Sequence, residues 1–265
     1  MLSGLDLPLA TLVLLVVVAF AAGWVDAVVG GGGLVQLPAL LIGLPADTAP
    51  AAILGTNKLS SMWGTATSAL TYARRVRPDW RTVLPLVVGA ALGSAGGAQL
   101  AKLLGKDAFT PIVLVALVGV GLYTWRRPEL GLETKVRHTG GAHYGRTAVI
   151  GLVVGAYDGF LGPGTGSFFV IALVGVLGYG FLEASAKAKI ANLVTNLAAL
   201  VVFAVHGTVL WGLGLSMGAA NLLGGFLGAR TAIARGNAFV RRVFLVVIAV
   251  LVVKLAYDTA SSLVG

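Results

Sequence analysis

Two glycine runs, each set inside an otherwise apolar stretch, limit what this chain can fold into. The first is Gly23-Trp24-Val25-Asp26-Ala27-Val28-Val29-Gly30-Gly31-Gly32-Gly33, with apolar residues on both sides. The second is Gly155-Ala156-Tyr157-Asp158-Gly159-Phe160-Leu161-Gly162-Pro163-Gly164-Thr165-Gly166. Each glycine in a helix interior costs about 1 kcal/mol relative to alanine. Four in a row therefore predict a helix break, and the backbone amides freed there need partners. Asp26 and Asp158 lie almost half a chain length apart, so the break is duplicated.

The surroundings of the breaks set the solvent. Apolar segments long enough for a bilayer-crossing helix, about 20 residues, recur along the chain. Charged residues are 11% of the sequence and hydrophobic ones 57%, against roughly 25% charge in a soluble domain. The expected fold is an all-α polytopic membrane protein, with the lipid bilayer as its first partner. The net charge of +9 falls mostly in short connections, which is a topology signal and no nucleic-acid surface. Without cysteine there are no disulfides and no thiolate metal sites. No Walker A pattern is present, and His138, His143 and His206 sit in connections or at helix ends. Neither a metal centre nor a Ser/His hydrolase finds its parts, so no enzyme and no cofactor are expected. Residues 1–6 lack a signal peptide's basic start, so the first segment is expected to remain as a helix.

The segments repeat in order. Residues 8–29 lead to the first break and 34–43 form a half-helix; helices follow over 51–73, 82–103 and 108–125. Residues 126–146 are the one long polar connection. In the second half, 147–161 lead to the second break and 166–178 form a half-helix; helices follow up to Val205, introduced by Lys187 and Lys189, then over 210–230 and over 240–257. Lys58 then falls on Lys189, Ser61 on Asn192, Thr65 on Asn196 and Trp80 on Trp211. The chain divides into repeat 1 (1–125), a linker (126–146) and repeat 2 (147–265). Placing Arg126, Arg127, Lys135, Arg137 and Arg146 on the cytoplasmic side puts Arg74–Arg81 and Arg230–Arg242 there as well. Matched loops then carry opposite bias, since the repeat mate of Arg74–Arg81 is the nearly uncharged turn at His206. Two inverted repeats of about five helical segments each follow, with both termini outside.

Inverted repeats with broken helices are a transporter pattern, and the breaks mark the binding site. Glycine lets several amides face one point, and the following half-helix adds its positive end. Gly31, Gly32, Gly33, Gly164, Thr165 and Gly166 are therefore candidates for holding an anion; close helix packing is the structural alternative. That alternative is assigned to Gly89, Gly93, Gly97, Gly224 and Gly228. Lys58 and Lys189 would add ammonium groups at membrane depth, although Lys189, read as about two residues into its helix, could snorkel to the surface. Asn57 and Gln36 are further donors. Ser61, Asn192 and Asn196 follow the lysines at helical spacing, as the wall of a polar path or as glue between helices. Asp26 and Asp158 stay open between two roles, coupling ions or capping the freed amides.

The duplicated Gly-x-x-Asp-x-x-x-Gly-x-Gly breaks, Asn57-Lys58, and Lys189 with Asn192 resemble the TauE/SafE family of sulfite and organosulfonate exporters over nearly the whole chain. The resemblance implies a secondary transporter in the cytoplasmic membrane of a bacterium. Its substrate would be a small sulfur-containing oxyanion such as sulfite or sulfoacetate. A passive anion channel, a carboxylate transporter and an intramembrane enzyme are the competing readings, and a homo-oligomer is allowed.

Overall fold

A computed structural model describes residues 7–45, 47–100, 126 and 131–264; from 248 on, side chains are described only at 249, 250 and 253. The helix expected over 108–125 and both chain ends lie outside these residues. Among the described residues every regular element is helical. They are α1 (Leu9–Val29), α2 (Gly32–Gly43), α3 (Pro50–Val76), α4 (Trp80–Leu100), α5 (Gly140–Phe160), α6 (Thr165–Ala172), α7 (Phe181–Val205) and α8 (Trp211–Val264). A π-helical turn, Leu173–Leu177, extends α6, and α8 is interrupted at Gly236, where φ is 69°.

Among the described residues four helices are long and apolar enough to cross a membrane: Leu9–Val29, Trp80–Leu100, Phe181–Val205 and Trp211–Val247. The segments after the two breaks are shorter, Gly32–Gly43 and Thr165–Leu177. At about 1.5 Å per residue each spans roughly 20 Å, less than a hydrocarbon core of about 30 Å. The outer faces carry large apolar side chains such as Leu84, Leu92, Val153 and Val201. In water this surface would be a liability; in lipid it is the solvated face.

The small-residue stripes are packing surfaces. A Cβ on Gly93 would lie 2.2 Å from the Leu152 carbonyl oxygen, and one on Gly159 2.0 Å from that of Ser94. α4 and α5 thus touch backbone to backbone. α1 and α8 do the same: a Cβ on Gly224 would lie 2.0 Å from the Phe20 carbonyl oxygen and one on Gly23 2.3 Å from that of Asn221. Close approach of this kind replaces the hydrophobic drive that lipid cannot supply.

Several boundaries differ from expectation, for local reasons. Gly32 and Gly33 are helical, so two residues suffice for the first break. α5 begins at Gly140, which places residues 140–146 of the expected linker inside a helix. α7 begins at Phe181, so Lys189 lies two turns into it. The fully buried Phe181 sets that start by donating its backbone N–H to the Gly131 carbonyl.

Candidate functional site

The first break is built by one residue in the left-handed region. Gly30, at φ 84°, caps α1 and returns its N–H to the Asp26 carbonyl at 2.7 Å, the common way a helix ends. The second needs two, Gly162 at φ 90° and Gly164 at φ 78°. Tyr157 pins that loop by donating its hydroxyl to the Pro163 carbonyl at 2.7 Å. No side chain caps either following helix.

The two breaks touch. The Ser167 N–H donates to the Gly30 carbonyl at 3.1 Å, and the Ser167 hydroxyl to that of Val29 at 2.8 Å. A Cβ on Gly30 would sit 2.1 Å from the Gly166 carbonyl carbon, so no side chain fits between them. Both helix starts therefore stand at one place. Helix geometry leaves their first-turn amides without intrahelical partners, apart from those that the loop carbonyls already take up.

Around this contact, charge is paired crosswise. Lys58, on α3, meets Asp158, on α5, at 2.6 Å. Lys189, on α7, meets Asp26, on α1, at 3.0 Å, and also donates to the Asp26 backbone carbonyl. Each lysine thus holds the aspartate of the other half of the chain. Among the described residues neither carboxylate accepts a hydrogen bond from a backbone amide; each is bonded by a lysine instead. Lys189 is completely buried, which removes snorkelling as its explanation. Thr65 donates to Asp26 at 3.4 Å and accepts from Asn196 at 3.4 Å.

Lys58 and Asp158, with Asp26 of the other pair, border a cavity of about 20 Å³. Asp26, Asp158, Gly33, Asn57, Lys58, Ser61, Gly164, Thr165, Gly166, Asn192 and Asn196 face it, joined by Gly30 and Gly162. Gly31, Gly32, Gln36 and Lys189 do not reach it. Gly32 packs on Ala22 and Asp26. Gln36 donates to Asn57 at 3.0 Å and accepts from Asn221 at 2.9 Å and from Ser60 at 3.3 Å. It thereby orients a wall residue from behind. Gly30 and Gly162 were legible as members of the glycine runs. Asn221 showed only as a lone amide in an apolar helix, and the role of Ser167 had no signal. Among the described residues no three of His, Cys, Asp or Glu come close enough to hold a metal ion.

Two larger cavities lie away from this centre. One, of about 440 Å³, is lined by Thr71, Arg74, Arg75, Phe226 and Arg230. The other, of about 510 Å³, is lined by Leu84, Val88, Leu92, Val149 and Leu152, and resembles a lipid-facing groove. In the turn before α4, Asp79 accepts from the Thr82 hydroxyl at 2.8 Å and from the Arg81 N–H at 3.1 Å. The Thr82 bond is the main reason that its carboxyl titrates below the usual range.

The family described as sulfite exporter TauE/SafE matches residues 15–255. A "Probable membrane transporter protein" of Sinorhizobium sp is 37% identical over 254 residues, covering 96% of this chain and 95% of its own. One of Haemophilus influenzae is 34% identical over 255 residues, covering 96% and 98%. One of Escherichia coli K12 is 34% identical over 242 residues, covering 91% and 88%. No solved structure gives a significant match.

Proposed function

The chain belongs to the TauE/SafE family of membrane transporters, and on that premise we propose that it is a secondary carrier of a small sulfur-containing oxyanion, sulfite or an organosulfonate, across the cytoplasmic membrane. The observation that carries this reading is the convergence of Lys58, the start of α2 and the start of α6 on one buried cavity. Asn57, Asn192, Asn196, Ser61 and Thr165 add neutral polar groups around the same space. An oxyanion offers several acceptors spread over a small volume. Amides, hydroxyls and an ammonium group arranged on all sides match that better than a planar carboxylate needs.

The cavity's size supports a carrier over a conduit. About 20 Å³ is enough for one water molecule and too little for an oxyanion of four or more heavy atoms. The walls must part for each passage, and the crossed ion pairs are the contacts that tie them. Their exchange pattern, Lys58 to Asp158 and Lys189 to Asp26, is what two inverted repeats facing each other would make.

Flux in proteoliposomes tests the reading. Sulfite, sulfoacetate or methanesulfonate uptake should saturate, whereas flux linear in concentration would point to a passive pore. Lys58→Gln should raise the half-saturating concentration roughly ten- to a hundredfold, the loss of one charged hydrogen bond of about 1.5–3 kcal/mol. Because that change leaves Asp158 unpaired, Lys58→Gln/Asp158→Asn serves as the charge-balanced control. Lys58→Arg should be a partial defect, since a planar fork does not replace a point charge. Unchanged affinity in both lysine-to-glutamine variants would remove Lys58 from the site.

A further inference from the structure

The two ion pairs differ in how they are held. Asp26 is bonded by the Lys189 ammonium, and the Thr65 hydroxyl, shared with the Ser61 carbonyl at 2.8 Å, lies 3.4 Å from it. The Asp26 backbone carbonyl also receives Lys189 and the Gly30 N–H. Asp26 is woven into the end of α1, and its lysine stands outside the cavity. Asp158 has one donor: among the described residues, only Lys58 hydrogen-bonds its carboxylate. Both members of that second pair face the cavity, and among the described residues Lys58 makes no other hydrogen bond. One pair is built in; the other is built to open.

We propose that Asp158 is a proton-binding site, loaded when the anion takes its place on Lys58, so that anion and proton cross together. This rests on the carrier reading above and specifies its coupling ion. The charges facing Asp158 decide the matter. From α3 comes Lys58, and from α1 comes Asp26, itself neutralised by Lys189 of α7. α6 brings no ionisable side chain, and the one on α4, Arg81, is exposed in its first turn. On α5 itself the neighbouring Tyr157 is engaged with Pro163. The four charges therefore sum to zero. An anion arriving at Lys58 would leave one uncompensated negative charge beside the Asp158 carboxylate, at a depth where Asp158 is 1% exposed. Like charges so placed favour protonation of the carboxylate. One proton restores neutrality and releases Lys58 from Asp158 to the substrate. The proton leaves with the anion when the Lys58–Asp158 pair re-forms.

The balance fixes a measurable slope. If binding requires a protonated Asp158, the apparent affinity falls about tenfold per pH unit wherever the free carboxyl is ionised. Methanesulfonate suits the test, because it carries one negative charge throughout pH 6 to 8. Proteoliposomes containing the full chain and an internal pH dye report both movements. The wild type should show saturable uptake, internal acidification accompanying it, and a half-saturating concentration that rises about tenfold per pH unit. Asp158→Asn should lose the acidification that accompanies anion flux and lose the pH slope. Should that variant fail to reach the membrane, the wild-type proton movement still decides. Saturable anion flux without acidification, or with a flat pH profile, overturns the proton site and leaves the carrier standing. Absence of saturable flux for every probe anion overturns the carrier, and the proton site with it.

Discussion

Removal of the Lys189 ammonium is the most direct test of how the centre is held together. Lys189→Met leaves a group of similar length in a fully buried position and strands the Asp26 carboxylate, which is 8% exposed. Breaking a buried pair from one side costs about 3–5 kcal/mol. Asp26 also borders the cavity, where one water can reach it, so the lower end, about 3 kcal/mol, is expected. Asp26→Asn/Lys189→Met removes both charges, and should fall within about 1 kcal/mol of the wild type, because replacing a buried pair by neutral groups is often close to neutral. The interaction energy of the cycle is then roughly 2 kcal/mol or more. Unfolding in mixed micelles, followed by tryptophan fluorescence, measures all four proteins. If Lys189→Met unfolds within about 0.5 kcal/mol of the wild type, Lys189 is not the buried partner of Asp26 and the crossed-pair centre is wrong.

Three further outcomes are expected. Gly30→Ala, which needs a left-handed backbone and drives a methyl to 2.1 Å from Gly166, should destabilise by roughly 3 kcal/mol or more. Gly207→Ala, with the same sign of φ but open space, should cost about 1–2 kcal/mol, and equal losses in the two would mean that the breaks do not touch. Because the chain has no cysteine, single cysteines report topology cleanly: Thr208→Cys should label from the outer face and Thr139→Cys only after permeabilisation, the reverse ruling out the inverted arrangement. The Asp79 carboxyl titrates low in the folded protein, first through its Thr82 bond. Its contribution is therefore present above the unfolded carboxyl range, near pH 4, and disappears as pH falls through the lower folded value. Wild-type melting temperature should drop over that acidic interval more than that of Asp79→Asn; parallel curves would deny Asp79 this role.

Much of this centre was written in the chain as violations of apolar pattern. A lysine, an asparagine or a glycine run inside a 20-residue apolar stretch has to be compensated, and so Lys58, Asn192, Asn196 and both breaks announced themselves. What compensates them could not be read, because it comes from 100 to 163 positions away. Asp158 holding Lys58 is a tertiary fact. An acid next to a glycine break reads equally well as a local cap. The depth of Lys189 was misjudged because Lys187, two residues earlier, suggested a surface helix end. In fact the helix starts at Phe181, and Lys187 is itself tucked over the Tyr179 ring. The helix start at Gly32 was misplaced for a related reason: packing against Ala22 and Asp26 holds this glycine in helix where propensity alone would release it.

The backbone-to-backbone seam between α1 and α8 also sets an order of events during synthesis. The Asn221 side chain that bonds the Ala19 carbonyl lies 202 positions downstream of it. At a translation rate of roughly 5–20 residues per second, α1 waits on the order of 10–40 s for that partner to emerge. α4 and α5 meet much sooner. The small-residue face of α1 must spend that interval against lipid or an insertion factor, and the seam closes only when the helix from Trp211 arrives. A gene split within the polar connection should therefore yield two fragments that are unstable singly and recover when made together. α1 is thus made well before it is seated.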